Sequence, residues 1–358
     1  MEKEKTSKKS NFLKTAIQLV LFVGLGVFFI WLSIKDLTPE DVKMLKESAA
    51  TVNNPVSWMF LSLSIIIGAF SHYIRSLRSI LLIEPLNYKV RKSMSFYSVM
   101  VCYLANLALP RLGEVLRCTF LQRYENVPFQ KTLGTVVTER AFDVVCWLLM
   151  LVVAIWLNTS VLSHLVVDKE SGLSLGAWME QKGMSIISNY FLYILGACVI
   201  LFALLIYFTR NWWGKIPFFV KVKNIVLGVW QGLVSIKDLK RPWLFLLYTF
   251  LLWFFYFLGV YICFFAFDYL RDLGPVPAYS VLVFGAIGYM VAQGGLGAYP
   301  LIVAGILVLY GIDYNAALAA GWIGWSAQSV MIIIFGLAAL ILAPFSKRNT
   351  QNASMPKE

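Results

Sequence analysis

Only 14% of the 358 residues are charged, 59% are apolar or aromatic, and the formal net charge is +12. Soluble globular chains carry about 25% charged residues, so an ordinary water-soluble domain is excluded. The basic residues lie between long apolar stretches, which argues against a nucleic-acid partner. The two histidines (His72, His164) and the five cysteines (Cys102, Cys118, Cys146, Cys198, Cys263), unpaired in spacing and set in apolar segments, argue against a metal, disulfide or cofactor site.

About 20 apolar residues cross a hydrocarbon core roughly 30 Å thick. Such segments must be helical, because lipid offers the backbone no hydrogen-bond partner. Six qualify, near 13–34, 56–83, 129–157, 189–209, 242–267 and 314–342. The first follows Lys8, Lys9 and Lys14 as a secretion signal would, but it is too long and lacks a small-residue cleavage site, so it reads as a retained helix. Two shorter hydrophobic regions, 94–124 and 279–310, are interrupted. The predicted fold is all-α and integral to the membrane: six spanning helices plus two interrupted helical hairpins, either re-entrant or fully crossing. Residues 1–345 form a single polytopic membrane domain, followed by a flexible cytoplasmic tail over 346–358.

Orientation follows from the loops. The pieces 1–14, 84–93, 121–131, 210–241 and the tail after Pro344 carry 20 basic and 6 acidic residues; 35–55, 158–188, 268–278 and 311–313 carry 6 basic and 10 acidic. Basic loops stay in the cytoplasm, so both termini are expected there, in the cell (cytoplasmic, inner) membrane. The loop 210–241, with seven basic residues and one acidic, reads either as a helix lying on the anionic inner leaflet or as a topology determinant alone.

The interrupted regions resemble one another. Leu107–Glu114 can be laid on Val291–Ala298 at an offset of 184 residues, and the flanking spans then coincide. Each half, about 56–157 and 242–342, becomes helix, interrupted hairpin, helix. The additional span at 189–209 turns the second half over, giving an inverted repeat of the kind that builds transporter sites near the midplane. Pro110 breaks the first hairpin. Gly294, Gly295 and Gly297 permit the positive φ angles that break the second.

Eight ionisable residues fall within apolar segments: Arg75, Arg78, Arg111, Glu114, Arg117, Glu139, Arg140 and Asp143. An unpaired charge at the centre of a membrane helix costs roughly 2.5–3.5 kcal/mol, so they must face one another or a wet cavity. Arg75 and Arg78 share a face and either snorkel to the inner interface or turn inward. Glu114 and Arg117, and Arg140 and Asp143, stand three apart, and Glu139 and Asp143 four apart. Glu139, Arg140 and Asp143 read either as an ion-pair network holding helices together or as part of a site. Five arginines against three acids leave a positive excess, which suits the phosphate of an anionic lipid headgroup better than a small cation.

Tyr73-Ile74-Arg75-Ser76-Leu77-Arg78, Leu109-Pro110-Arg111-Leu112-Gly113-Glu114-Val115-Leu116-Arg117, Glu139-Arg140-Ala141-Phe142-Asp143 and Gly294-Gly295-Leu296-Gly297 together resemble the flippase-like membrane domain of lysylphosphatidylglycerol synthases. The chain departs from that pattern in two places. Pro110-Arg111-Leu112 stands where the family has Pro-Gly before Gly-Glu, and Ala298-Tyr299-Pro300 where it has a glutamate, whose role is not carried over. The resemblance implies a lipid-binding set of Arg75, Arg78, Arg111, Gly113, Glu114, Arg117, Glu139, Arg140, Asp143, Gly294, Gly295 and Gly297. It also implies binding and translocation of a lipid with an anionic, phosphate-bearing headgroup. Lipid-synthesising members carry a soluble aminoacyltransferase domain after the membrane part, whereas this chain runs about 15 residues past its last helix. Synthase activity is accordingly not expected. The alternatives are a non-catalytic membrane partner of a lipid-modifying enzyme and a membrane-embedded enzyme acting on a lipid headgroup. Expected partners are anionic membrane lipids, with a second copy of the chain or a separately encoded lipid-modifying enzyme open as others. No nucleotide-binding motif is present to couple ATP.

Overall fold

A computed structural model describes Trp31 and residues 39–108, 112–159, 166–168, 173–174 and 239–346. The expected spans near 13–34 (apart from Trp31) and 189–209, the basic loop before 239, Arg111 and the tail after Ser346 lie outside the described residues. Nine α-helices are present among those described. They are α1 (Pro39–Ala50), α2 (Pro55–Ile83), α3 (Lys92–Ala108), α4 (Leu112–Glu125), α5 (Phe129–Leu157), α6 (Pro242–Phe264), α7 (Pro275–Val291), α8 (Ala298–Leu309) and α9 (Tyr314–Leu342). Between α5 and α6, Val166–Asp168 and Leu173–Ser174 form a short antiparallel strand pair.

Local chemistry sets the helix boundaries. Pro55 occupies the first turn of α2, where no intrahelical donor is needed, and Asn54 Oδ1 accepts from the Ser57 amide at 2.9 Å. Asp313 caps α9 in the same way, accepting from the Asn315 amide at 2.9 Å and the Ala316 amide at 3.1 Å. Helix α2 ends in a turn closed by Asn87 at φ 64°. Helices α2, α5, α6 and α9 are long and apolar enough to cross a membrane. At 29 residues, α2 extends about 43 Å.

The interrupted regions are helical hairpins. Helices α3 and α4 have 17 and 14 residues, and α7 and α8 have 17 and 12. The order long, short, short, long thus occurs twice, as α2–α5 and α6–α9. Packing follows the same order. Helix α2 lies along α6, the hairpin partners α3 and α4 pack together as do α7 and α8, and α4 meets α5 as α8 meets α9. Helix α3 packs on α9 while α7 packs on α5, so each hairpin also touches the long helix of the other half.

Small residues permit these close approaches. Ser64 Oγ on α2 donates to the Gly259 carbonyl on α6 at 2.8 Å. A methyl group on Gly321 of α9 would lie 2.9 Å from Pro300 Cα on α8. The largest apolar core joins α6, α7, α8 and α9 through Phe264, Val281, Leu307 and Leu318. Outward faces carry Trp58, Ile66, Leu149, Phe250 and Ile334, all exposed, as expected of surfaces solvated by lipid. Helix α1, polar and too short to span, packs against α9.

Candidate functional site

The intramembrane charges divide into two groups. Helix periodicity puts Arg75 and Arg78 on one face of α2, and Glu139 and Asp143 on one face of α5. Where α2, α4 and α5 meet, these residues and Arg117 form one shielded network. Arg75 Nη1 lies 2.9 Å from Glu139 Oε1 and 2.7 Å from Asp143 Oδ2. Arg78 Nη1 is 2.7 Å from Asp143 Oδ1, and its Nη2 is 3.5 Å from Glu139 Oε1. Arg117 Nη2 is 2.9 Å from Glu139 Oε2. Arg78 is 0% exposed and Glu139 1%, so α2 turns both of its arginines inward and neither snorkels.

Helix α6 completes this network from the other half. Arg78 Nη1 donates to Thr249 Oγ1 at 3.3 Å, and Arg75 Nε donates to the Tyr256 hydroxyl at 3.3 Å. The Arg78 guanidinium also lies 5.6 Å from the centre of the Phe245 ring. Charge-based reading missed Thr249 and Tyr256, which are neutral. Their separation of seven residues, two helical turns, is the signal that places them on one face.

The second group is Arg140 and Glu114, paired at 3.2 Å with side chains 37% and 27% exposed. They line a cavity of about 710 Å³, a size usual for ligand sites. Both halves build its wall. Helices α2 to α5 supply His72, Arg75, Tyr103, Asn106, Glu114, Arg140 and Asp143, while α6 to α9 supply Tyr256, Tyr289, Gln293, Tyr299 and Gln328. Apolar and aromatic side chains form most of the remainder, including Trp147, Val260, Phe264 and Ile332.

Described residues flanking the first chain break meet the second break at this cavity. Asn106 Oδ1 accepts from the Gly113 amide at 2.9 Å, and Asn106 Nδ2 approaches Glu114 Oε1 at 3.4 Å. The Asn106 carbonyl accepts from Gln293 Nε2 of the other break. Trp325 Nε1 on α9 donates to the Gly294 carbonyl at 2.8 Å. These contacts give protein partners to the Gly113 amide and to the Asn106 and Gly294 carbonyls, backbone groups that lipid would leave unpaired. Gly294, Gly295 and Gly297 have φ of 59°, 74° and 70°, a region open to glycine and strained for branched side chains.

The candidate residues thus occupy different places. Arg75, Glu114, Arg140, Asp143 and Gly294 line the cavity. Arg78, Arg117 and Glu139 stand behind its wall in the shielded network. Gly113 is a packing position: a methyl there would lie 2.2 Å from the Cys102 carbonyl oxygen. Gly295 packs beneath the Tyr289 ring, and Gly297 precedes the first turn of α8. Asn106, Gln293 and His72 belong to the cavity without having been singled out by charge.

The model of the family described as the lysylphosphatidylglycerol synthase transmembrane region matches residues 16–336. No curated protein and no solved structure matches the chain. With the family match extending across both halves and every helix that frames the cavity, the chain belongs to the lysylphosphatidylglycerol synthase transmembrane region family, as a multi-pass membrane protein related to lipid handling.

Proposed function

We propose that the protein takes an anionic lipid by its headgroup into the cavity between its halves and moves it across the membrane, with no covalent step. The observation that carries this reading is Arg140, a half-buried guanidinium on the wall of a 710 Å³ cavity bounded by residues flanking the first chain break and by the second break. A guanidinium at an apolar chamber suits a phosphate that must bind while acyl chains stay in an oily environment. The aromatic and aliphatic wall suits the upper part of those chains. The ion-pair network, with Arg75 and Asp143 at the wall and Arg78, Arg117 and Glu139 behind it, serves as a rigid frame. Its carboxylates are held by arginines, which argues against their use as general acids or bases and so against the headgroup-enzyme reading.

The recurrence of long, short, short, long helices, with α3 on α9 and α7 on α5, supports an inverted repeat with broken hairpins meeting at the site. In this reading the protein has six full spans, lies in the cell (inner) membrane and keeps both termini in the cytoplasm. Rocking of one half against the other then opens the cavity to alternate leaflets.

The test is reconstitution into vesicles carrying fluorescent phosphatidylglycerol or phosphatidylcholine in the inner leaflet. Anionic lipid should become accessible to an external quencher faster than in empty vesicles, and Arg140→Gln should slow it at least tenfold. Transport no faster than in empty vesicles would overturn the proposal.

A further inference from the structure

The charged groups on the cavity wall have protein partners: Arg75 is paired with Asp143, and Arg140 with Glu114. His72 of α2 and Gln328 of α9 line the same cavity. Among the described residues, neither side chain has a hydrogen-bond partner. His72 is 6% exposed, its ring lies 4.4 Å from that of Tyr103, and its Nδ1 is enclosed without a partner. Leaving a buried polar atom unpaired is costly, and on a cavity wall the missing partner can come from the occupant. The Cβ–Cγ torsion of histidine has broad preferences, so a turn of the ring brings a nitrogen to bear on that occupant.

Gln328 reaches the same place from the other half. Its Oε1 lies 2.6 Å from where a methyl on Gly68 would stand, and Gly68 is one helical turn from His72 on the same face of α2. Glycine at this position leaves the room that the amide fills. From Gly68 to Arg75, α2 thus contributes about 10 Å of cavity wall that begins at neutral polar groups and ends at the ion pairs. These two ends suit different parts of one ligand. The Gln328 amide offers two donors and an acceptor, and an imidazole offers one of each. A hydroxyl, which both donates and accepts, complements them.

Resting on the proposed lipid-handling role, we propose that His72 and Gln328 form a second subsite of the cavity, which hydrogen-bonds the hydroxyls of a polyol headgroup whose phosphate is held at Arg140. A headgroup of equal length without hydroxyls fills the space and leaves both side chains unpaired, so the hydroxylated lipid binds more tightly.

The experiment titrates the purified full-length protein in detergent with short-chain phosphatidylglycerol and phosphatidylpropanol, which share phosphate, charge and chain length and differ in the headgroup hydroxyls. Wild type should bind phosphatidylglycerol about five- to tenfold more tightly. Gln328→Leu and His72→Phe, the latter keeping a ring against Tyr103, should each cut that preference to about half or less, and neither should weaken phosphatidylpropanol. Arg140→Gln should weaken both lipids and leave their ratio unchanged. Equal binding of the two lipids by wild type, or an undiminished preference in both single variants, would overturn the inference while leaving the lipid-handling role intact. The wild-type comparison decides even if a variant misfolds. Absence of binding by either lipid would instead remove the role itself, and the inference with it.

Discussion

Glu139→Gln is the substitution that most sharply separates frame from site. Glu139 is 1% exposed and holds Arg75 and Arg117 at 2.9 Å, with Arg78 at 3.5 Å. The glutamine is nearly isosteric, so packing is preserved and only the charge is lost. Three guanidiniums are then left with Asp143 as their one carboxylate within the network. Removing one partner from a buried ion pair costs about 3–5 kcal/mol, because the remaining charge is uncompensated. At about 2–4 °C per kcal/mol, the melting temperature in detergent should fall by roughly 10 °C. Glu114→Gln is the control. Its pair is 27% and 37% exposed, and such pairs are worth about 0–1 kcal/mol, so its melting temperature should stay within about 3 °C of wild type. The assay is thermal unfolding of purified protein followed by intrinsic fluorescence. Equal melting temperatures for Glu139→Gln and wild type would refute the view that this network is the frame.

Other predictions follow from packing and topology. Gly113→Ala should destabilise by about 1–3 kcal/mol, since its methyl would meet the Cys102 carbonyl oxygen at 2.2 Å, whereas Gly134, with nothing within 4 Å, should accept Ala without loss. Comparing the melting temperatures of the two variants checks this. Single cysteines at Lys89, Lys131 or Lys240 should be labelled by an impermeant thiol reagent only from the cytoplasmic side, and those at Lys43 or Asp272 only from outside. Labelling of both sets from one side would overturn the assigned topology. Tyr256→Phe removes the acceptor for Arg75 Nε at 3.3 Å and should cost about 1 kcal/mol, with thermal unfolding again as the readout.

The breaks were legible because they rest on backbone chemistry that sequence displays directly. Pro110 cannot donate, and glycines alone sit easily at the φ of 59° to 74° found in the second hairpin. The long helices were legible because lipid demands length and apolarity. The ion pairs were less so. Spacing placed Glu114 with Arg117 and Arg140 with Asp143 on shared faces, but Arg117 pairs with Glu139 and Arg140 with Glu114. A helix presents neighbouring turns to different partner helices, and spacing along one helix carries no information about which. For the same reason Arg78, equally able to snorkel from its position in the chain, turns out to be fully enclosed by α5 and α6. Neutral contributors such as Asn106 and Gln293 became visible only when the fold brought these two residues, 187 apart in the chain, into hydrogen-bonding contact.

The most direct measurement is photocrosslinking with a phosphatidylglycerol bearing a photoactivatable group near its headgroup, followed by peptide mapping of the protein in bilayers. If the headgroup enters the cavity, label should appear on the segments around Asn106–Glu114 and Tyr289–Gly294, be displaced by unlabelled phosphatidylglycerol, and be lost in Arg140→Gln. Label confined to the outward faces around Trp58, Leu149, Phe250 and Ile334, and insensitive to both competitor and variant, would contradict the account.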